Sequence, residues 1–105
     1  YFEDHYLQYL LSMFKKEDAP VFMHPFPEQL KQYDRRFGSH LYETLFHYLE
    51  NERSISKTAQ AMNLHRSTLI HRIERIVEMS GGILEQPESR MHILISYYLP
   101  DSFSQ

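Results

Sequence analysis

The 105-residue chain contains no cysteine, so it can form neither a disulfide nor a thiolate metal site, which suits a reducing compartment. It has no apolar run approaching the roughly 18 residues that a membrane-spanning helix needs, and no secretory signal pattern. The expected location is the cytoplasm, with no membrane partner. Repeats and low-complexity segments are missing, and no stretch alternates apolar and polar residues as a half-buried strand would. Nor is there an excess of positive charge: 11 lysines and arginines stand against 14 acids, for a net charge of −3. That balance argues against a histone-like protein binding by global charge. What is present, 42% hydrophobic and 14% aromatic residues, rules out a disordered tail and suffices for one folded domain with a single core. Because the chain starts at Tyr1 rather than Met, it is expected to be cut from something longer.

The positive charge is concentrated. Residues 1–50 carry five basic and eight acidic side chains and residues 81–105 carry one and three, whereas residues 51–80 carry five and three. This distribution points to a small docking surface rather than a long-range field.

Periodicity and punctuation read as all helix. "YFEDHYLQYLLSMFKK" has acids near its start and lysines at its end, as a helix dipole favours, and it is apolar over most of its circumference. Core, a dimer interface and a surface covered by an upstream domain are three readings of that face. "EDAPVFMHPFP" is expected to be an extended connector until Pro27 opens a short helix through Phe37. Gly38 stops that helix, and Ser39 can cap the next, with Leu41, Leu45, Tyr48 and Leu49 inward. Ser54 is positioned to cap a helix from Ile55 to Met62, and Asn63 sits where the chain must turn sharply, in a conformation that asparagine tolerates. The next helix is expected from Arg66 to Ser80, with Leu69, Ile73, Ile76 and Val77 on one face and Gly81 and Gly82 ending it. Pro87 opens a last helix, which Pro100 closes. The fold class expected is all-α, a bundle of about five to six helices containing a helix-turn-helix motif.

The motif is the pair of helices around Asn63. Ala59 is small enough for two helices to cross closely, Leu64 plugs the turn, and the second helix begins His65-Arg66-Ser67-Thr68. With the aliphatic row inward, Arg66, Ser67, Ile70, His71, Glu74 and Arg75 lie on or near the open side. Ile70 either packs under a neighbouring helix or touches a thymine methyl.

"SISKTAQAMNLHRSTLIHRIERI" resembles the C-terminal helix-turn-helix of the PucR/CdaR family of bacterial transcriptional regulators, of the purine-catabolism and sugar-diacid type, and more distantly Fis-type DNA-binding domains. The resemblance runs through "YDRRFGSHLYETLFHYLEN" upstream and "GGILEQPESRMHILISYYL" downstream, covering roughly residues 30–99. Where relatives usually read His-Arg-Asn-Thr this chain reads His65-Arg66-Ser67-Thr68, and where they usually place a tyrosine it has His71. The resemblance implies a linker and N-terminal helix over 1–29, joining an absent upstream sensory region that binds a small metabolite, and a DNA-binding domain over 30–105. It implies double-stranded DNA as partner, a homodimer in the full-length protein, and no cofactor. Together with the wheel it assigns Arg66, Ser67 and His71 to base edges, and Lys57, Arg72 and Arg75 to phosphates. Thr68 and the backbone N–H groups of the helix opened by His65 would hold a further phosphate.

Other chemistries are weaker. Arg66 and Arg72 also fit a solvated helix face or ion pairs with acids such as Glu74 and Glu78. His40 and His47 share a helix face, but no third ligand stands at a recognisable spacing and no H-E-x-x-H occurs. Thr58, Ser67 and His71 could be imagined as a hydrolytic set, yet neither a nucleophile elbow nor a glycine-rich phosphate loop is present. The chain is therefore expected not to be an enzyme. The competing reading is a helical interaction or oligomerisation domain that keeps the fold without binding DNA.

Overall fold

The computed structural model describes residues 12, 13, 17 and 19–99. The helix expected over residues 1–16 lies almost wholly outside the described residues, as does Pro100. The architecture is all-α: α1 (Ala19–Phe22), α2 (Phe26–Phe37), α3 (Leu41–Glu50), α4 (Ile55–Met62), α5 (Arg66–Ser80) and α6 (Pro87–Tyr98), with a 3-10 turn at Ile83–Glu85 before α6. The connector is not wholly extended, because Ala19–Phe22 makes one helical turn with Ala19 fully buried. Pro20 falls in the first turn of α1, where a missing N–H leaves no helical hydrogen bond unmade.

Helix α3 is the centre of the bundle and packs against α2, α4, α5 and α6. Its Leu41, Leu45 and Leu49, at i, i+4 and i+8, meet Phe26 and Leu30 of α2, Leu69, Ile73 and Ile76 of α5, and Ile93 of α6 in one apolar cluster. Tyr48 is only partly buried against it. Tyr97 closes the cluster: its ring packs on Tyr42 at 4.7 Å and its hydroxyl donates to the Tyr42 carbonyl at 2.6 Å. Burial pushes the Tyr97 phenol well above its usual range, so it remains a donor.

The start of α3 departs from expectation. Ser39 does not cap it; the N-cap is His40, whose side chain makes no capping bond. Instead the Asp34 carboxylate reaches across from α2 and accepts the N–H groups of Leu41 and Tyr42, each at 2.9 Å. The Ser39 hydroxyl donates to the same carboxylate. Gly38, at φ 67°, folds the chain back so that the end of α2 lies beside the start of α3. A charged two-oxygen acceptor then satisfies more of the helix start than a hydroxyl would.

Candidate nucleic-acid interface

The α4–α5 unit forms as its sequence directs. The Ser54 hydroxyl accepts the Lys57 N–H at 3.2 Å, which fixes the start of α4. Asn63 adopts the left-handed conformation, φ 56° and ψ 49°, and Leu64 donates its N–H to the Ala59 carbonyl at 2.9 Å. The chain thus reverses within three residues, with Ala59 buried where α4 meets α5.

Helix α5 buries Leu69, Ile73, Ile76 and Ser80. Val77, expected inward, is 40% exposed. The steps of four, three and four from Leu69 lead to Ser80, and Val77 stands about 60° to one side of that line at 100° per residue. Ile70 is half-buried.

Burying that ridge turns the opposite side outward. His65, Arg66, Ser67, Thr68 and His71 are all exposed and share the first two turns of α5. His65 is the N-cap and makes no side-chain cap bond, so the N–H groups of the first turn lack the usual side-chain acceptor. Lys57 is exposed on α4. Two arginines are engaged by the protein itself. Arg72 is half-buried and donates from a guanidinium nitrogen to the Thr44 hydroxyl of α3 at 3.2 Å, while that hydroxyl donates to the His40 carbonyl at 2.6 Å. Arg75 pairs with Glu78 at 3.0 Å and lies 6.0 Å from the ring of Tyr33 on α2. Arg72 thus braces α5 against α3, and Arg75 leans toward α2.

Charge divides α5 along its length. No acid occurs between Glu52 and Glu74, a span that holds Arg53, Lys57, His65, Arg66, His71 and Arg72. Beyond it, Glu74 lies 3.9 Å from His71, and Glu78 holds Arg75. The anion-seeking part of the surface is therefore the start of α5, where the helix dipole adds to the side-chain charge.

The structure also brings His40 and His47 beside this unit, in a groove shared with Glu43, Arg72 and the end of α4. Sequence reasoning raised these histidines only as metal ligands; their i, i+7 spacing already placed both on one face of α3. Among the described residues no group of three or more histidine, cysteine or acidic side chains could hold a metal. Thr58 is fully buried whereas Ser67 and His71 are exposed, so they form no hydrolytic set. No helix among the described residues is long and apolar enough to cross a membrane.

Residues 41–99 match the PucR C-terminal helix-turn-helix domain family. The chain is 33% identical over 87 residues to the purine catabolism regulatory protein of Bacillus subtilis (strain 168), which covers 83% of this chain and 16% of that protein. It is 49% identical over 64 residues to the transcriptional activator PmfR of Paenarthrobacter nicotinovorans, covering 61% of this chain and 14% of the relative. It is also 33% identical over 71 residues to the DNA-binding transcriptional activator AdeR of Bacillus subtilis (strain 168), covering 68% and 17%. The chain spans about one-sixth of the length of these curated relatives. No solved structure matches it.

Proposed function

The chain belongs to the family of PucR C-terminal helix-turn-helix domains, and on that premise we propose that it is the sequence-specific DNA-binding output domain of a bacterial transcriptional regulator of the purine-catabolism or sugar-diacid type. Helix α5 enters the major groove from its N-terminal end. Arg66, Ser67 and His71 meet base edges, with Arg66 suited to a guanine. His65, Thr68 and the first-turn N–H groups hold a phosphate at the helix start. Lys57 takes a neighbouring phosphate, as do Arg75 and the guanidinium nitrogens of Arg72 not used on Thr44.

One observation carries this reading: burial of Leu69, Ile73 and Ile76 presents a cationic, acid-free, uncapped helix start to solvent. About four to six phosphate contacts give a log-affinity against log-salt slope of about −4 to −5. One domain with so little fixed charge binds weakly, so the full regulator acts as a cytoplasmic homodimer on half-sites about 34 Å apart. An upstream region senses a metabolite and alters that dimer. The competing reading, an interaction domain without DNA contact, is favoured by the exposed Val21, Phe22 and Met91.

Arg66→Glu separates the two. DNA affinity falls by roughly tenfold or more at about 100 mM salt while melting is unchanged, if α5 reads DNA. Unchanged DNA affinity with lost self-association supports the interaction domain instead.

A further inference from the structure

The groove beside the α4–α5 turn is walled by His40 and His47 from α3, Met62 from the end of α4, Leu64 from the turn, and Arg72 from α5, with Glu43 at its rim. Three of its side chains can carry positive charge. Arg72 is held in place by the Thr44 hydroxyl, which is itself fixed to the His40 carbonyl, so cation and groove wall form one rigid unit. The groove opens next to the start of α5, where fixed charge is sparse: among the described residues Arg66 and Lys57 make no ion pair, whereas Arg75, further along α5, lies beside Glu78 at the exposed surface.

We propose that this groove seats a DNA backbone phosphate flanking the bases read by α5, and that His40 and His47 take up protons as it does so. The proposal rests on the DNA-binding reading and extends the interface from the helix-turn-helix onto α3. A phosphodiester is a permanent anion, and an anion within about 4–6 Å favours the charged form of an imidazole. Protonated imidazoles donate from both ring nitrogens and so supply the positive charge that the chain's lysine and arginine content does not. In the absence of DNA, the Glu43 carboxylate lies 3.5 Å from His40 Nδ1 at the rim of the groove. Its side chain is 57% exposed and is free to swing out when a phosphate arrives. The other charged groups near the groove are the Asp34 carboxylate at the start of α3, Glu50 one turn after His47, Arg72, and Lys57 on α4 one turn before Ala61; α4 and the turn line the groove itself only with Ala61, Met62 and Leu64, none of them titratable.

The linkage has a definite sign. Imidazoles whose affinity for protons rises in the complex make binding tighter as pH falls through about 7. Two such groups weaken binding by roughly tenfold between pH 6 and pH 8.

The test uses the whole 105-residue chain and a fluorescein-labelled duplex of random sequence, because the phosphate contribution is independent of sequence. Anisotropy titrations run at pH 6, 7 and 8 at one ionic strength, with circular dichroism of every variant. The combined variant His40→Gln with His47→Gln is expected to lose roughly tenfold in affinity at pH 6 and less than about twofold at pH 8. Glu43→Gln is expected to tighten binding a few-fold by removing the competing carboxylate, an effect that a purely structural role would not give. Equal affinity of the double variant and the parent at pH 6 overturns the proposal, as does an equal loss at pH 6 and pH 8. Absence of binding by the parent chain at every pH refutes the DNA-binding reading itself, and the groove assignment with it.

Discussion

The starts of α3 and α5 are built in opposite ways. At α3 the protein supplies its own anion, with Asp34 accepting the N–H groups of Leu41 and Tyr42. At α5 the N-cap is His65, which makes no side-chain bond, and Arg66, Ser67 and Thr68 behind it are exposed. Every helix start presents unpaired N–H groups and partial positive charge, so both ends favour an anion. The first is satisfied within the fold by a side chain; the second receives no side-chain acceptor and is the one proposed to meet DNA phosphate. A carboxylate serves one start and an imidazole stands at the other, the difference on which the proposed binding role of α5 rests.

Removing the structural anion has the largest expected effect. Asp34→Ala leaves two helix-start N–H groups and the Ser39 hydroxyl without their acceptor, and is expected to lower stability by about 2–3 kcal/mol in urea melts. At pH 8, where the α3 histidines contribute little, DNA affinity of the folded fraction should stay within about twofold of the parent, because α5 is untouched. The converse change, His65→Asp, gives α5 the anion that α3 already has. It is expected to raise stability by about 1 kcal/mol while weakening DNA binding by roughly tenfold at about 50–100 mM salt, so stability and function move in opposite directions. Ser54→Ala, which removes the acceptor for the Lys57 N–H at an exposed helix start, should cost about 0.5–1 kcal/mol and leave binding nearly unchanged.

The smallest effect concerns the segment leading into α2. His24 accepts the Phe26 N–H through Nδ1 at 3.0 Å, donates its own N–H to the Ser96 hydroxyl at 2.8 Å, and packs edge-on against His92 at 5.0 Å. Burial, and then the neighbouring His92, hold its pKa below the ordinary 6.5. The unfolded chain therefore binds a proton that the folded chain resists, and this contribution to stability is present above about pH 6.5 and lost as pH falls. Melting between pH 7.5 and pH 5 should drop more steeply for the parent than for His24→Gln.

The same contrast marks what was legible in the sequence. Devices that act within a few residues could be read directly: Ser54 on Lys57, Asn63 in the turn, Gly38 and Gly81 at helix ends, Pro87 at the start of α6, and the bounds of α4 and α5. Devices that reach between elements could not. Asp34 lies seven and eight residues before the N–H groups it caps, and only the Gly38 reversal brings it there. Arg72 reads as an exposed cation until α3 is placed beside it, 28 residues away in sequence. Val77 looked interior because it is apolar and near the edge of the buried arc, yet the line of contact passes through Ser80. Of the proposed interface, the exposed residues around the start of α5 were legible from periodicity, whereas the His40 and His47 groove needed the packing of three helices.

Amide chemical-shift mapping of the isotopically labelled chain with a short duplex at about 50 mM salt, where the phosphate contribution is strong, tests the central claim most directly. Shifts concentrated on residues 65–72, with α6 silent, are the predicted result. Shifts confined to the exposed Met91 side of α6, or none at saturating DNA, would contradict it.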